Sequence, residues 1–216
     1  MSVTDDTRQR LLEAAGQVFA EKGFKASTVR DICGRIGANL AAVNYHFGDK
    51  ERLYIEAVKA AHCSRPDDPS LNWPPHFSPE DKLRAFVGHM LAHILDDKRP
   101  RWHAQLMMRE LAEPTSACVE LVDAYIRPMA QKLGEIINEL VPADTPQSQR
   151  FMTAFSVVGQ CLFYKVHEPI SILLVGEQEY RSYTVERLAD HIARFTLAAI
   201  GRGEPLFTPT VPEHAS

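Results

Sequence analysis

The residues with the plainest chemistry lie in a short segment, Leu40–His46, that follows a glycine turn. Asn44 carries a side-chain amide, the group that pairs with N6 and N7 of adenine in the major groove. Ala41 and Ala42 come before it, and such small side chains let a backbone approach the edges of bases. The segment ends with an aromatic pair, Tyr45 and His46. These residue types favour a helix that reads duplex DNA.

Two short helices joined by a glycine turn position this segment. Thr28 is a favourable helix N-cap, and Asp31 three residues later completes a variant of the capping box. Gly37 ends the first helix, because glycine adopts the left-handed conformation without steric cost. Asn39 caps the second helix, Leu40–Phe47. This is the helix-turn-helix pattern, although helix pairs of this kind also occur in all-helical proteins that do not bind DNA.

A longer motif gives this pattern a family context. The stretch V-N-Y-H-F-G-D-K-E, with A-x-x-x-F-A-E-K-G-F-x-A-S-T-V-R-D-I upstream, resembles the DNA-binding domain of the tetracycline-repressor (TetR) family from Arg8 to about Ala61. The resemblance implies that the second helix enters the major groove and that Thr28, Tyr45, His46 and Lys50 contact the phosphate backbone. The full set of expected DNA-binding residues is Thr28, Arg30, Asn39, Leu40, Ala41, Asn44, Tyr45, His46 and Lys50.

Composition and charge exclude a protein that binds DNA through a broad basic field. The chain has 216 residues and a net charge of −4, with 45% hydrophobic residues, enough for one or two packed domains. The first 62 residues carry nine basic and eight acidic side chains, whereas the remainder carries fifteen and twenty. Specific phosphate contacts must therefore come from a few placed residues.

Cysteine usage and hydropathy indicate a cytoplasmic protein. The four cysteines are widely spaced and form no C-x-x-C motif, which is typical of free thiols in a reducing compartment. The N-terminal residues contain no apolar run of the kind found in signal peptides. The longest uncharged apolar stretch, residues 170–176, is too short to span a bilayer. We therefore expect no membrane partner.

Helical periodicity continues along the rest of the chain, and a proline-rich break, residues 64–79, separates two parts. We predict an all-α fold of about nine helices, with a helix-turn-helix domain at 1–62 and a helical effector-binding and dimerisation domain at 63–216. Besides the pair above, the predicted helices cover residues 7–22, 50–63, 79–97, 101–112, 115–140 with a kink near Pro128, 147–167, a half-turn at 170–176, and 185–200.

Three features of the second part resemble the C-terminal domain of the CecR-like subgroup of the TetR family. They are M-R-E-L-x-x-P-T near residue 110, Pro128, and S-V-V-G-Q-C-L-F-Y from Ser156. The resemblance implies a homodimer built from the helices at 147–167 and 185–200. These helices carry more apolar surface than one subunit can bury, so we expect an interface that includes Phe155, Leu162, Leu188, Ile192 and Phe195.

An effector pocket is the least specific of these predictions. Methionines and aromatics with a few polar groups suit an adaptable small-molecule site, although most such residues belong to ordinary cores. The candidates are Phe86, Met90, Trp102, Leu106, Met107, Arg109, Tyr125, Gln160 and Tyr164. Arg109 has two interpretations, because a buried arginine needs either a structural ion pair with Glu110 or Glu113 or an anionic ligand.

Metal and catalytic sites are not expected. His62 and Cys63 with His76, or His89 with His93, have some of the spacing that zinc sites use, but no carboxylate or cysteine completes either set nearby. The chain contains no nucleophile elbow, phosphate loop or dinucleotide fingerprint. We therefore predict no metal, no cofactor and no catalytic residue.

The leading hypothesis is a ligand-responsive transcriptional regulator, most often a repressor, that binds a palindromic duplex operator as a homodimer. Its two recognition helices would lie about 34–36 Å apart, and an unidentified small molecule would favour another spacing. Two alternatives remain open at this stage. One is an all-helical carrier or enzyme that uses the helix-turn-helix as scaffold, and the other is a helical interaction adapter.

Overall fold

A computed structural model describes residues 3–62 and 71–207, and within these ranges the regular structure is entirely helical. The predicted all-α class is therefore confirmed. The helices in chain order are α1 (Val3–Ala26), α2 (Val29–Ile36), α3 (Leu40–Phe47), α4 (Lys50–His62), α5 (Pro79–Ile94), α6 (Arg101–Ala112), α7 (Ser116–Leu121), a π-helical turn (Val122–Ile126), α8 (Arg127–Leu140), α9 (Gln147–Val166), α10 (Glu168–Val175), α11 (Glu177–Arg181) and α12 (Val185–Ala199).

The chain divides into two compact units, and the division is not simply at residue 62. The first unit contains Met1–Pro66 together with Asp97–Pro128, and the second contains Asp67–Asp96 together with Met129–Ser216. The physical reason is that α6 and α7 pack on α1 and α4. Trp102 and Leu106 are buried in the same core as Phe19. The segment 97–128 therefore belongs structurally with the helix-turn-helix, although it follows the proline-rich break in sequence.

Gly23 interrupts α1 where the sequence predicts its end. Its backbone has φ 76° and ψ 170°, a conformation outside the helical region that glycine adopts readily. One further helical turn follows, so α1 continues to Ala26. At the other end α1 begins at Val3, four residues before the predicted start.

The predicted long helix over residues 115–140 is three segments in the structure. α7 ends at Leu121, a π-helical turn spans Val122–Ile126, and α8 continues from Arg127. Pro128 is the second residue of α8, and a proline ring cannot be accommodated against the carbonyl four residues earlier in a regular helix. The wider π turn lies directly before this position, so the predicted kink takes the form of a local change of helix type.

In the second unit, α12 packs against α5 and α9 around one hydrophobic core. Leu83, Phe86, Ile136 and Val157 are buried there with Ile192. Ser78 caps α5 by accepting a hydrogen bond from the Asp81 backbone amide, and Pro79 occupies the first helical position, as the sequence predicts.

The second unit also leaves many large apolar side chains exposed. They are concentrated on α9 and α10, and Leu173 on α10 is 85% exposed. The exposed residues of these two helices are Phe151, Met152, Phe155, Phe163, Val166, Ile170, Leu173, Leu174 and Val175. An apolar surface of this extent is typical of a protein interface.

Candidate DNA interface

The N-terminus of α2 is held by the predicted capping box. The Thr28 hydroxyl oxygen accepts a hydrogen bond from the Asp31 backbone amide at 3.1 Å, and the Thr28 amide donates to the Asp31 carboxylate at 2.9 Å. Lys22 donates to the same carboxylate at 2.8 Å. The Thr28 hydroxyl also donates to it at 2.7 Å. The hydrogen bonds that the carboxylate accepts, from Lys22 first and then from the Thr28 hydroxyl and amide, lower the pKa of Asp31 to about 2. Asp31 is therefore ionised at neutral pH and stabilises the start of α2.

The turn and α3 have the predicted geometry. Gly37 adopts φ 67° and ψ 27°, the left-handed conformation that ends α2. The Asn39 side chain caps α3 by accepting a hydrogen bond from the Ala41 amide at 2.9 Å. Val43 and Phe47 are buried beneath α3, which fixes the helix to the rest of the unit.

The opposite face of α3 is exposed. Tyr45 is 77% exposed and Leu40 is 45% exposed, and Ala41 and Asn44 are also exposed. His46 is half-buried, and its ring lies edge-on to Tyr45 with the centroids 4.9 Å apart. One solvent-facing surface therefore presents an amide, a phenol and small side chains, the groups that contact base edges and phosphates.

Lys50 lies at the start of α4, where Asp49 caps the helix by accepting a hydrogen bond from the Arg52 amide at 2.8 Å. The Lys50 Nζ donates to the Ser27 carbonyl oxygen at 2.8 Å and lies 4.4 Å from the Phe24 ring centroid. These contacts place the ammonium group beside the residue that precedes the α2 N-cap. The structure thus groups Thr28 and Lys50, while Arg30 is exposed on the first turn of α2.

The Arg109 side chain is exposed, and none of its described hydrogen bonds is to a carboxylate. Its Nε donates to the Ala20 carbonyl oxygen at 2.7 Å, and its Nη2 donates to that of Glu21 at 2.9 Å. These carbonyls belong to the last regular turn of α1, the part of a helix whose carbonyls commonly lack partners within it. Arg109 is therefore a C-capping residue for α1, and the predicted ion pair with Glu110 or Glu113 is wrong.

Glu110 instead takes part in a separate buried cluster. Its side chain is 1% exposed, and its carboxylate accepts hydrogen bonds from the Tyr54 hydroxyl at 2.6 Å and the Thr115 amide at 2.8 Å. Burial, together with the adjacent Glu110 carboxylate, raises the pKa of Tyr54. The Tyr54 phenol therefore stays protonated and donates. Nothing in the sequence signals the Tyr54–Glu110 contact, because these two residues are 56 positions apart.

The predicted effector residues are distributed over the two units. Trp102, Leu106, Met107, Arg109 and Tyr125 belong to the first, and Phe86, Met90, Gln160 and Tyr164 belong to the second. Trp102, Leu106 and Phe86 are buried in the two hydrophobic cores. The Trp102 ring lies directly against Gly16, where an added Cβ would collide with it, and its Nε1 donates to Glu13 at 2.6 Å.

A cleft of about 310 Å³ lies elsewhere in the first unit, between α1 and α2. None of the predicted effector residues lines it. Its walls are formed by Gln9, Arg10, Glu13, Ala14, Gln17, Arg35 and Ile36. The two arginines already have partners there, since Arg10 donates to the Ile36 carbonyl and Arg35 donates to Gln17 and Glu21.

The predicted interface residues differ in exposure. Phe155 is 70% exposed on α9 and Phe195 is 47% exposed on α12, so both are available to a partner. Leu162 is half-buried. Leu188 and Ile192 are buried in the core of their own unit, because α12 turns this face toward α5. Their assignment to the interface is therefore wrong, and the exposed residues of α9 and α10 extend the candidate surface instead.

Across residues 3–62 and 71–207, no three histidine, cysteine, aspartate or glutamate side chains converge as a metal site would require. His89 and His93 lie one turn apart with stacked rings 6.4 Å between centroids, and Cys63 is outside the described residues. No helix in the described part of the chain combines the length and apolarity needed to cross a bilayer.

Comparison with known proteins shows which family the chain resembles. The family model for bacterial regulatory proteins of the tetR family matches residues 11–57, and the model for the C-terminal domain of the HTH-type transcriptional dual regulator CecR matches residues 79–200. Over 186 residues, 80% of this chain and 81% of the relative, the sequence is 23% identical to the HTH-type transcriptional dual regulator CecR of Shigella flexneri.

Two further comparisons agree with this result. Over 54 residues, 25% of this chain and 29% of the relative, the sequence is 42% identical to the HTH-type transcriptional repressor AcnR of Corynebacterium efficiens. The crystal structure of a tetR-family regulatory protein from Rhodococcus RHA1 has the same fold, with a TM-score of 0.68, 19% identity, and coverage of 94% of this chain and 100% of that one. The chain therefore belongs to the tetR family, with a C-terminal domain of the CecR type, and is a DNA-binding transcriptional regulator.

Proposed function

We propose that this regulator acts in the cytoplasm as a homodimeric repressor that binds a palindromic operator and leaves it when a small molecule binds. The observation that carries the proposal is the exposed face of α3, which presents Leu40, Ala41, Asn44 and Tyr45 while Val43 and Phe47 anchor the helix. A recognition helix needs this combination of a fixed backbone and free side chains.

The expected division of labour follows from the chemistry of each side chain. Asn44 carries a donor and an acceptor that match adenine in the major groove, so it is the proposed base-reading residue. Thr28, Tyr45, His46 and Lys50 are proposed to contact phosphates. Lys50 supplies the charge, and its position beside Ser27 places it next to the positive end of α2.

Asn39 and Thr28 already serve as helix caps, which limits what they can contribute to DNA. Their side-chain oxygens accept backbone hydrogen bonds within the protein. We therefore assign Asn39 chiefly to orienting α3, while Thr28 combines the capping of α2 with its proposed phosphate contact. Leu40, Ala41 and Arg30 remain proposed DNA contacts because they are exposed.

A second copy of the chain is the proposed partner for the exposed apolar face of α9 and α12. Phe155 and Phe195 are exposed on this face, and two-fold pairing of two helices from each subunit gives a four-helix bundle. Dimerisation would also explain a palindromic operator, because the two recognition helices of such dimers contact half-sites about 34–36 Å apart.

The effector stays the least defined part of the proposal. Met90, Gln160 and Tyr164 are half-buried in the second unit and combine apolar surface with polar groups, which suits a small organic molecule. Release then requires only that this molecule prefers a dimer whose recognition helices have a different spacing.

Binding to a duplex at several salt concentrations tests the proposal. We expect affinity to fall steeply as salt rises, because each neutralised phosphate releases counterions. Lys50→Ala should reduce the salt slope by about one unit on every sequence. Asn44→Ala should instead remove about 1–3 kcal/mol of preference at one position of each half-site. Lys98→Ala, at an exposed lysine outside the helix-turn-helix, is the matched control and should change neither quantity.

A further inference from the structure

Two adjacent residues near the end of α6 contact two different elements of the DNA-binding part of the first unit. Arg109 donates to the Ala20 and Glu21 carbonyls at the end of the regular part of α1, and Glu110 accepts from Tyr54 on α4. We name Arg109 and Glu110 together the α6 latch. Both contacts are made by side chains from outside the sequence segment that resembles the DNA-binding domain.

The Arg109 contact is suited to fixing the position of the end of α1. The last carbonyls of a helix lack partners within it, and a cation there also interacts favourably with the helix dipole. Arginine satisfies two successive carbonyls through one planar group, with donor–acceptor distances of 2.7 and 2.9 Å. Gly23 comes two residues after Glu21, and an added Cβ at this residue would lie 3.4 Å from the Arg109 guanidinium.

The chain beyond Gly23 leads straight to the proposed phosphate anchors. Phe24 carries the Lys50 ammonium on its ring face at 4.4 Å, and Ser27 accepts the Lys50 hydrogen bond. Ser27 also donates to the Phe24 carbonyl at 2.8 Å, which closes this turn immediately before the Thr28 cap. The position of the end of α1 therefore sets the position of both Lys50 and the α2 N-terminus.

The Glu110 contact acts on the same region through Tyr54 of α4. Tyr54 packs against Phe24 and Phe19, with ring centroids 4.9 Å apart in each pair. Its hydroxyl is held by Glu110, whose carboxylate also accepts from Thr115, the N-cap of α7. Phe24, whose ring carries the Lys50 ammonium, therefore packs against Tyr54, and Glu110 holds the Tyr54 hydroxyl. On the other side, Arg109 holds the end of α1 that leads to Phe24.

We propose that Arg109 and Glu110 are positioning residues for DNA binding. They hold the end of α1 and the start of α4 so that Lys50 and the α2 N-terminus face the phosphate backbone. The inference rests on the proposed function, in which Lys50 and Thr28 are phosphate contacts. It also assigns Arg109 a role without ligand, in place of the effector contact that the sequence suggested.

The test compares latch variants on two duplexes at four salt concentrations. One duplex has random sequence, and the other is recovered by selection from a random library with the wild-type protein. Arg109→Ala should weaken binding to both duplexes about tenfold. It should also lower the salt slope by about one unit, as loss of the Lys50 contact would. Tyr54→Phe, which keeps the ring and removes the hydroxyl, should act in the same direction with a smaller effect.

Matched controls separate positioning from general loss of structure. Arg101→Ala removes an exposed arginine at the other end of α6, and Glu113→Gln removes an exposed carboxylate one turn after the latch. Both should bind as the wild type does. Arg109→Lys should recover part of the affinity, because a lysine ammonium can reach one carbonyl but not two in one plane. If Arg109→Ala fails to fold, Arg109→Lys and Tyr54→Phe still report the slope.

The outcomes distinguish the two levels of the proposal. Wild-type protein that binds neither duplex at any salt overturns the proposed function and the latch together. In a second outcome, the wild-type protein binds with a steep salt slope, and Arg109→Lys and Tyr54→Phe retain that slope and affinity. This result overturns only the positioning role of the α6 latch. Reduced affinity with an unchanged slope also overturns it, because a merely structural loss reduces active protein without removing a phosphate contact.

Discussion

The two compact units of this chain differ in what they leave exposed. Eleven of the sixteen exposed large apolar side chains in the described residues belong to the second unit, and five belong to the first. Long-range side-chain hydrogen bonds do not separate the units, since Tyr54–Glu110 connects helices of the first and Arg84–Asp190 those of the second. The second unit therefore exposes more apolar surface than the first, and an apolar surface of this extent is typical of a protein interface.

A charge placed on the exposed face of α9 should have the largest effect. Phe155→Glu puts a carboxylate on a residue that is 70% exposed, where a partner subunit would bury it. The dimer dissociation constant should rise at least about a hundredfold, or about 3 kcal/mol, and sedimentation velocity at micromolar concentration should show monomers. Val119→Glu is the matched control, since Val119 is 65% exposed but lies on α7 of the first unit. A Phe155→Glu protein that remains dimeric would contradict the proposal that the exposed face of α9 is the subunit interface.

Two residues of α12 separate the core of the second unit from its surface. Ile192 is fully buried, so Ile192→Ala should lower the free energy of unfolding by about 2–5 kcal/mol and leave the subunit contact intact. Phe195→Ala, one turn later on the exposed side, should weaken dimerisation and cost little stability within the subunit. Urea titrations at one fixed protein concentration, paired with sedimentation, measure both quantities. Weaker dimerisation in Ile192→Ala, with loss of stability in Phe195→Ala, would instead place Ile192 at the interface.

Two glycines of the helix-turn-helix test how tightly the first unit specifies its turn. Gly37 has φ 67°, so Gly37→Ala should cost about 1 kcal/mol of unfolding free energy. Gly34 lies within α2 with open space around an added Cβ, so Gly34→Ala should stabilise the unit by about 0.5–1 kcal/mol. Thermal unfolding monitored by circular dichroism gives both values. Equal effects would mean that the left-handed turn is not retained in solution.

The capping box should give the smallest effect, and its pH dependence has a defined sign. The Asp31 pKa is lowered to about 2, so its stabilising contribution is complete above the unfolded-state value near 4. That contribution declines as the pH falls from about 4 toward 2. The melting-temperature difference between wild type and Asp31→Asn should therefore be constant above pH 5 and shrink below pH 4.

The parts of the fold that depend on local sequence were predictable. The Thr28 and Asn39 caps, the Gly37 turn and the Pro79 helix start each depend on residues within a few positions, and each has the predicted form. The bounds of α6 also match, because Pro100 and Pro114 restrict it on both sides. The exposed face of α3 follows from helical periodicity once Val43 and Phe47 are inside.

The parts that depend on long-range packing were not predictable from one sequence. Leu188 and Ile192 have the same periodicity whether their partner is α5 or a second subunit, so the pattern could not separate core from interface. The sequence offers Arg109 an ion pair or a ligand, whereas its side chain reaches backbone carbonyls 88 and 89 residues away. The spacing of side chains in the sequence does not predict a contact with a backbone acceptor. It also does not predict that segment 97–128 packs with the first unit.

The central claim is that two copies of α3 read a duplex at a fixed separation. Selecting bound sequences from a randomised duplex library with the wild-type protein tests it most directly. We predict enrichment of an inverted repeat whose half-sites are centred about 10 base pairs apart, or a multiple of one helical turn. Repeating the selection with Asn44→Ala should relax one position in each half-site while the spacing persists. Recovery of unrelated sequences without an inverted repeat from the wild-type protein would contradict the account.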